Sequence, residues 1–259
     1  MARSDPVIET FGDLTSRYAF DDPRWTYEIL RVLARSDAGF MPDLADDKEP
    51  VRHPLDRADL AGEALRLGTS WLAKVPAGRL RIQVVGGSRP YGTVLFGQRR
   101  RGPAPAFLEV LDAIAALVDP VVGFCHPLTE RELEEAAADG RPDLRFASPE
   151  RLLVPSIGFS IWQLAEHGLP ALYWRMYFGS SLRALLGERL RRAPWARVRA
   201  VGSSGVLVAD VTDEPPTSAT YPDFRVRREA IMDTLGREWF WPNAGGMASL
   251  QGDGPLHRA

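Results

Sequence analysis

The sequence predicts an α+β fold, and three observations carry that prediction. Hydrophobic spacing switches from a helical period to a period of two and back again; the two clearest period-two stretches fold back on glycine-rich turns; and the elements recur in the order helix, strand, helix, hairpin. A chain of 259 residues, 45% hydrophobic and 25% charged, has the composition of a globular protein able to bury a sizeable core.

The elements follow in order. Trp25, Ile29, Val32 and Leu33 share one face of a helix that starts after Asp21-Asp22-Pro23 and ends near Ser36-Asp37. Ala38 to Leu44 reads as a short strand, followed by an acidic connection holding Asp43, Asp46, Asp47, Glu49 and Pro50. A longer helix is expected from Pro54-Leu55-Asp56, with Leu60, Ala64, Leu67 and Trp71 on one face and Pro76 and Gly78 ending it. Leu80, Ile82 and Val84 then alternate with Arg79, Arg81 and Gln83, and after the turn Gly86-Gly87-Ser88-Arg89-Pro90-Tyr91-Gly92 a second strand runs from Thr93 to Gln98. Phe107, Leu111, Ile114 and Val118 mark the next helix, and Val121 to Cys125 the next strand.

Ala38 to Leu44 and Val122 to Leu128 each follow an amphipathic helix and carry Gly-Phe, with Leu four residues after Phe. The second stretch leads on to Leu172–Phe178 as a strand, a helix with Leu182, Leu185, Leu186 and Leu190, and a hairpin of Arg197–Val201 with Gly205–Val211. These parallels predict two degenerate halves of one fold, about 24–99 and 106–211, with an insertion in the second half between Pro127 and about Pro170 that includes an acidic helix from Thr129 to Asp139. A final helix from about Pro222 to Trp239 closes a single domain over 1–242, and 243–259 is expected to be a mobile tail.

The formal net charge of -2 gives no electrostatic reason to expect nucleic acid or an anionic membrane as a direct partner. Lys48 and Lys74 are the only lysines, an arginine bias that reads first as the mark of a GC-rich genome. The polar start Met1-Ala-Arg-Ser-Asp-Pro has no apolar region of a secretory signal behind it. The most apolar stretch, Phe107 to Phe124, is broken by Glu109, Asp112 and Asp119, whereas a membrane helix needs about 20 nearly uninterrupted apolar residues. The expected location is the cytoplasm. Cys125 is the single cysteine, which removes an intramolecular disulfide and a multi-cysteine zinc site.

Motifs that announce chemistry are missing: no GxGxxG after a strand, no GxxxxGK[ST], no HExxH and no GxSxG occurs. Gly158-Phe159-Ser160-Ile161-Trp162 lacks the second glycine of a nucleophile elbow. Cys125 and His126 invite a thiol-imidazole reading, but neighbours on a strand point to opposite faces, so a buried thiol beside a strand-end histidine is the preferred reading. His53, His167 and His257 show no metal-ligand spacing. No catalytic, metal or cofactor residue is therefore expected.

Two groups remain as candidate partner-binding residues. Glu130, Glu132, Glu134 and Glu135 lie in the insertion, followed by Asp139; such a run usually keeps a helix solvated, after that it presents charge to a basic partner, and binding of a divalent metal comes third. Tyr173, Arg175 and Tyr177 form a row opposite Trp174, which strand parity should bury. That row has the composition of a protein-binding hot spot, and a covering layer of helix would account for it equally well.

Val51-Arg52-His53-Pro54-Leu55-Asp56, the Gly158–Trp162 segment, the Tyr173–Gly187 strand-helix unit and the closing helix together resemble the immunity-52 family and related bacterial immunity-like proteins. The resemblance runs over most of the chain in order of elements, through short motifs. It implies a non-catalytic, stoichiometric inhibitor that binds and neutralises a cognate toxin in the producer cell, without a cofactor. A nuclease is the target that acidic residues would suit, since its cleft must attract phosphate. The alternatives are an enzyme whose site is assembled from distant residues, with His126 or His167 beside carboxylates, and a structural or regulatory module that dimerises through an exposed hairpin edge.

Overall fold

The computed structural model describes residues 9–36, 40–75, 80–87, 91–99, 103, 105–129, 131–132, 169 and 171–240. In chain order the elements are β1 (Glu9–Ser16), α1 (Pro23–Arg35), β2 (Leu44–Asp46), α2 (Leu60–Leu67), β3 (Trp71–Val75), β4 (Leu80–Val85), β5 (Thr93–Arg99), α3 (Pro105–Val118), β6 (Pro120–Pro127), β7 (Arg175–Phe178), α4 (Ser180–Arg192), β8 (Arg197–Val201), β9 (Val206–Asp210) and α5 (Tyr221–Leu235), closed by the 3-10 turn Arg237–Trp239. The fold is α+β. Its strands form one sheet in the order β2-β3-β4-β5-β1-β6-β7-β9-β8, with every neighbouring pair antiparallel.

Local chemistry sets the boundaries. Asp22 accepts the Arg24 N–H at 2.7 Å and Pro23 presets the first turn, so α1 starts where the sequence places it. Helix α2 departs from expectation at both ends. Asp59 caps it by accepting the Gly62 N–H at 2.9 Å, and Gly68, at φ 67, stops it before Trp71. Trp71 opens β3 instead, whose buried residues Trp71, Ala73 and Val75 alternate and whose backbone pairs with β4. The expected strand at Ala38–Leu44 shifts to Leu44–Asp46, with Ala38 and Gly39 outside the described residues. The strand expected from Leu172 begins at Arg175.

Directly paired residues share a face, so the register divides the sheet into two surfaces. On the first lie Trp71, Ile82, Val84, Val94, Phe96 and Leu14, and then, beyond β1, Cys125, Arg175, Tyr177 and Asp210. On the second lie Lys74, Arg81 and Gln83, then Asp13, and then Phe124, Met176, Phe178 and Ala209. Helices α1, α2 and α3 cover the first face: α1 contributes Ile29, Leu30 and Leu33, and Leu111 of α3 packs where a Gly12 side chain would be. Helix α5 lays Phe224 on His126 of the second face, α4 packs against α5, and Trp195 meets Phe178 there. The strands β6 and β7, at the crossing between these covered regions, are buried along their whole length.

The connections explain the switch of faces. Strand β1 leads through α1 to the hairpin β4–β5 and on to α3; β7 leads through α4 to the hairpin β8–β9 and on to α5. Both β1 and β7 run antiparallel to β6 and lie on either side of it. The repeated unit is thus strand, helix, hairpin, helix, turned about β6. This differs from halves at 24–99 and 106–211: the first unit starts at β1, and the second at β7. Tail residues 243–259, Ser160, His167 and all but Thr129, Arg131 and Glu132 of the helix expected at Thr129–Asp139 lie outside the described residues.

Candidate functional site

Three polar clusters surround β6 and β7. The first lies on the second face. His126 Nδ1 accepts the Trp174 N–H at 3.1 Å, so the proton of the neutral ring is assigned to Nε2, which meets Glu132 Oε2 at 2.6 Å. Glu132 is held in place because its own N–H donates to Thr129 Oγ1 at 3.1 Å, the Thr-x-x-Glu arrangement of a helix start. The pair is sealed, at 2% and 1% side-chain exposure, between Tyr173 and Phe224, whose ring centroids are each 5.5 Å from the imidazole.

Asp13 lies on the same face, paired with Leu95 and Phe124. Thr15 Oγ1 donates to its Oδ1 at 3.3 Å, while Oδ2 has no hydrogen-bond partner and the residue is 3% exposed. Burial raises this carboxyl well above its ordinary value of 3.8, against a smaller lowering from Thr15. The folded carboxyl therefore holds its proton more tightly than the unfolded one. Its contribution to stability is complete below about pH 3.8 and is lost as pH rises toward the raised folded value. Asp13→Asn, which keeps the shape without the charge, is expected to match the wild type in acid and to become progressively the more stable protein as pH rises. Urea midpoints measured from pH 3 to about pH 8 check this; parallel curves would contradict it.

The second cluster lies on the first face, between the sheet and α3. Arg175 forms a two-pronged pair with Asp210, Nε to Oδ1 at 2.7 Å and Nη2 to Oδ2 at 2.9 Å. Its Nη1 stands 3.9 Å from Asp112 Oδ1, which accepts the Tyr177 hydroxyl at 3.0 Å; Arg199 bonds the other Asp112 oxygen. Burial, with the Asp112 charge beside it, holds the Tyr177 hydroxyl well above its ordinary pKa. Cys125 shares this face and burial pushes its thiol up, while His126 leaves from the other face. The two side chains do not meet.

The third cluster ties together the turns after β1, before β6 and after β7. Asp119, a non-glycine residue at φ 41, accepts the Ser180 N–H at 2.9 Å and the Ser180 hydroxyl at 2.7 Å, capping α4. Arg17 pairs with Asp119 at 3.3 Å, donates to Ser180 Oγ at 3.0 Å and lies 4.7 Å over the Tyr18 ring, which stacks on Trp25 at 5.5 Å. Arg17, Tyr18 and Trp25 are partly exposed. This group joins arginine to two aromatics at the surface.

No family model matches the chain, and no curated protein matches it. A solved structure, the duplicated taurocyamine kinase from Schistosoma mansoni with bound transition state analog components, is similar at 13% identity and a TM-score of 0.25, over 88% of this chain and 32% of that one. A likeness at that TM-score carries no argument about fold or activity.

The structure distributes the sequence-predicted candidates unevenly. Tyr173, Arg175 and Tyr177 are all buried, so the row is internal: Arg175 and Tyr177 lie under α3, and Tyr173 stacks on Phe124 at a 4.1 Å centroid distance. Burial under α3 takes Arg175 and Tyr177 out of contact with solvent, and Tyr173, stacked on Phe124 of the second face, does not share their face. Trp174 is buried, with its indole N–H on the Thr212 carbonyl at 3.0 Å. Glu132 is turned inward to His126 rather than displayed to a partner. Glu130, Glu134 and Glu135 lie outside the described residues. Asp112, Asp119 and Asp210 organise two of the clusters, although Asp112 and Asp119 read in sequence only as charges interrupting an apolar run. Among the described residues no group of three or more His, Cys, Asp or Glu is placed to hold a metal ion, and no helix is long and apolar enough to cross a membrane.

Proposed function

We propose that this chain is a non-catalytic binding protein that neutralises a cognate toxin in the cytoplasm of the cell that makes both. The sequence resemblance to immunity-52 proteins motivates the reading, and the state of His126 is the observation that supports it best. The imidazole, the first choice for acid-base work, has both ring nitrogens engaged inside the protein and is 2% exposed. A group fixed in this way orders the interior and supports a rigid surface, which is what a stoichiometric inhibitor needs.

The recognition surface proposed here includes Arg17, Tyr18 and Trp25, since these residue types dominate binding hot spots and this trio is partly exposed. Acidic residues of the insertion such as Glu134 and Glu135 would oppose a basic cleft, as in a nuclease. The test is co-expression with each neighbouring open reading frame, scoring growth rescue together with capture of a tagged chain. Rescue from one toxin, with specific capture, is expected. Tyr18→Ala should weaken that complex by about 1–2 kcal/mol with folding retained. Absence of rescue against every neighbouring product, with the protein expressed and folded, would overturn the proposal.

A further inference from the structure

The two ends of the sheet are finished differently. At one end, β2 is covered by the following segment: Ala45 N–H donates to His53 O at 2.9 Å, Leu55 N–H donates to Asp43 O at 3.0 Å, and Leu44 bridges Pro54. At the other end, β8 bonds β9 on one side, and among the described residues no strand pairs with its outer side. None of its five residues is buried, and Val198 is 43% exposed. The backbone donors and acceptors of these five residues that point away from β9 are thus, among the described residues, open to strand pairing.

The fold itself indicates what fits there. In the repeated unit turned about β6, β8 corresponds to β4, the outer strand of the first hairpin, and β4 is covered by the antiparallel strand β3 from Trp71 to Val75. The side chains at β8 narrow the choice further. Arg197 and Arg199 share the first face of the sheet, with side chains 54% and 35% exposed. Their carboxylate contacts leave room for another anion on Arg197, whose guanidinium stands 4.0 Å from both Asp210 and Asp213. A second copy paired antiparallel along this edge and centred on Arg199 would set guanidinium opposite guanidinium, which is unfavourable for directly opposed side chains.

We propose that β8 is a docking edge for an extended acidic segment of another protein. The segment pairs antiparallel, as β3 pairs with β4, with carboxylates at alternate positions beside Arg197 and Arg199. The inference does not require the partner to be a toxin, so it can fail or succeed independently of growth rescue.

The test uses the full chain and three synthetic heptapeptides: one alternating glutamate with valine, one with lysine in place of glutamate, and the glutamate peptide N-methylated along its pairing side. Affinity is measured by titration, and the pairing site by hydrogen exchange of the amides at 197–201. The glutamate peptide is expected to slow exchange along β8, and the lysine and N-methylated peptides to bind at least about tenfold more weakly. Arg197→Glu should reverse the preference between glutamate and lysine. Four outcomes would overturn the proposal: no binding of the glutamate peptide, binding without slower exchange at β8, equal binding of all three peptides, or a free chain that already sediments as a dimer with β8 protected.

Discussion

Asp210→Ala is expected to cost about 3–5 kcal/mol of folding stability, because it strands the Arg175 guanidinium inside the protein. Arg175 and Asp210 are 5% and 2% exposed at the side chain and meet through two hydrogen bonds, so neither charge is hydrated when its partner is removed. Asp112 lies 3.9 Å from Nη1 but is already shared with Tyr177 and Arg199, and compensates only in part. The informative comparison is the double variant Arg175→Met/Asp210→Leu, which replaces the pair by apolar groups of similar bulk. Its stability should return to within about 1–2 kcal/mol of the wild type or exceed it. Urea denaturation of the wild type, Asp210→Ala and the double variant checks both statements. A double variant as unstable as Asp210→Ala would mean that the ion pair is needed in itself.

The second large effect belongs to Gly179. Its backbone is ordinary, at φ -76, so alanine carries no conformational penalty there; the obstacle is space. An added methyl would stand 1.9 Å from the Pro120 carbonyl oxygen and 2.7 Å from Asp119 Oδ1, and the first of these is backbone that cannot swing aside. Gly179→Ala must push β6 and the start of α4 apart and weaken the cap that Asp119 places on Ser180. Forced rearrangement and cap loss together amount to roughly 2–4 kcal/mol. Ser180→Ala, which removes the hydroxyl's bonds with Asp119 and Arg17 but keeps the backbone one, should cost about 1 kcal/mol. Thermal unfolding of the two variants, with hydrogen exchange of the first turn of α4, separates the two contributions. A Gly179→Ala protein as stable as the wild type would show that the turns move apart freely.

Much of the fold was legible because period and burial agree. Trp25, Ile29 and Leu33 keep helical spacing in α1; Leu80, Ile82 and Val84 alternate in β4; and Gly202 to Gly205 turns β8 into β9. Strand β1 was not legible, although it is paired on both sides. It presents Thr10, Gly12 and Leu14 to one face and Phe11, Asp13 and Thr15 to the other, so no apolar alternation marks it. Trp71 misled the reading of α2 because it stands four residues after Leu67, so helical spacing runs on through the turn at Gly68.

The clusters were legible only in fragments. Strand parity correctly joins Arg175 and Tyr177 on one face, but it cannot tell whether that face meets water or a helix. Asp210 is 35 residues from Arg175 and Asp112 is 65 residues from Tyr177 in sequence, and only the sheet order brings them together. Arg17, Tyr18 and Trp25 carried a weaker signal still: Trp25 counts toward the buried face of α1, and its stacking on Tyr18 depends on how the chain leaves β1.

The most direct test of the proposed role is a titration of the rescued toxin's activity with purified chain, holding toxin well above the dissociation constant. A stoichiometric inhibitor predicts a linear loss of activity that ends at about one equivalent, with a stable complex recovered at that point. Complete protection far below one equivalent would indicate turnover and contradict a binding role.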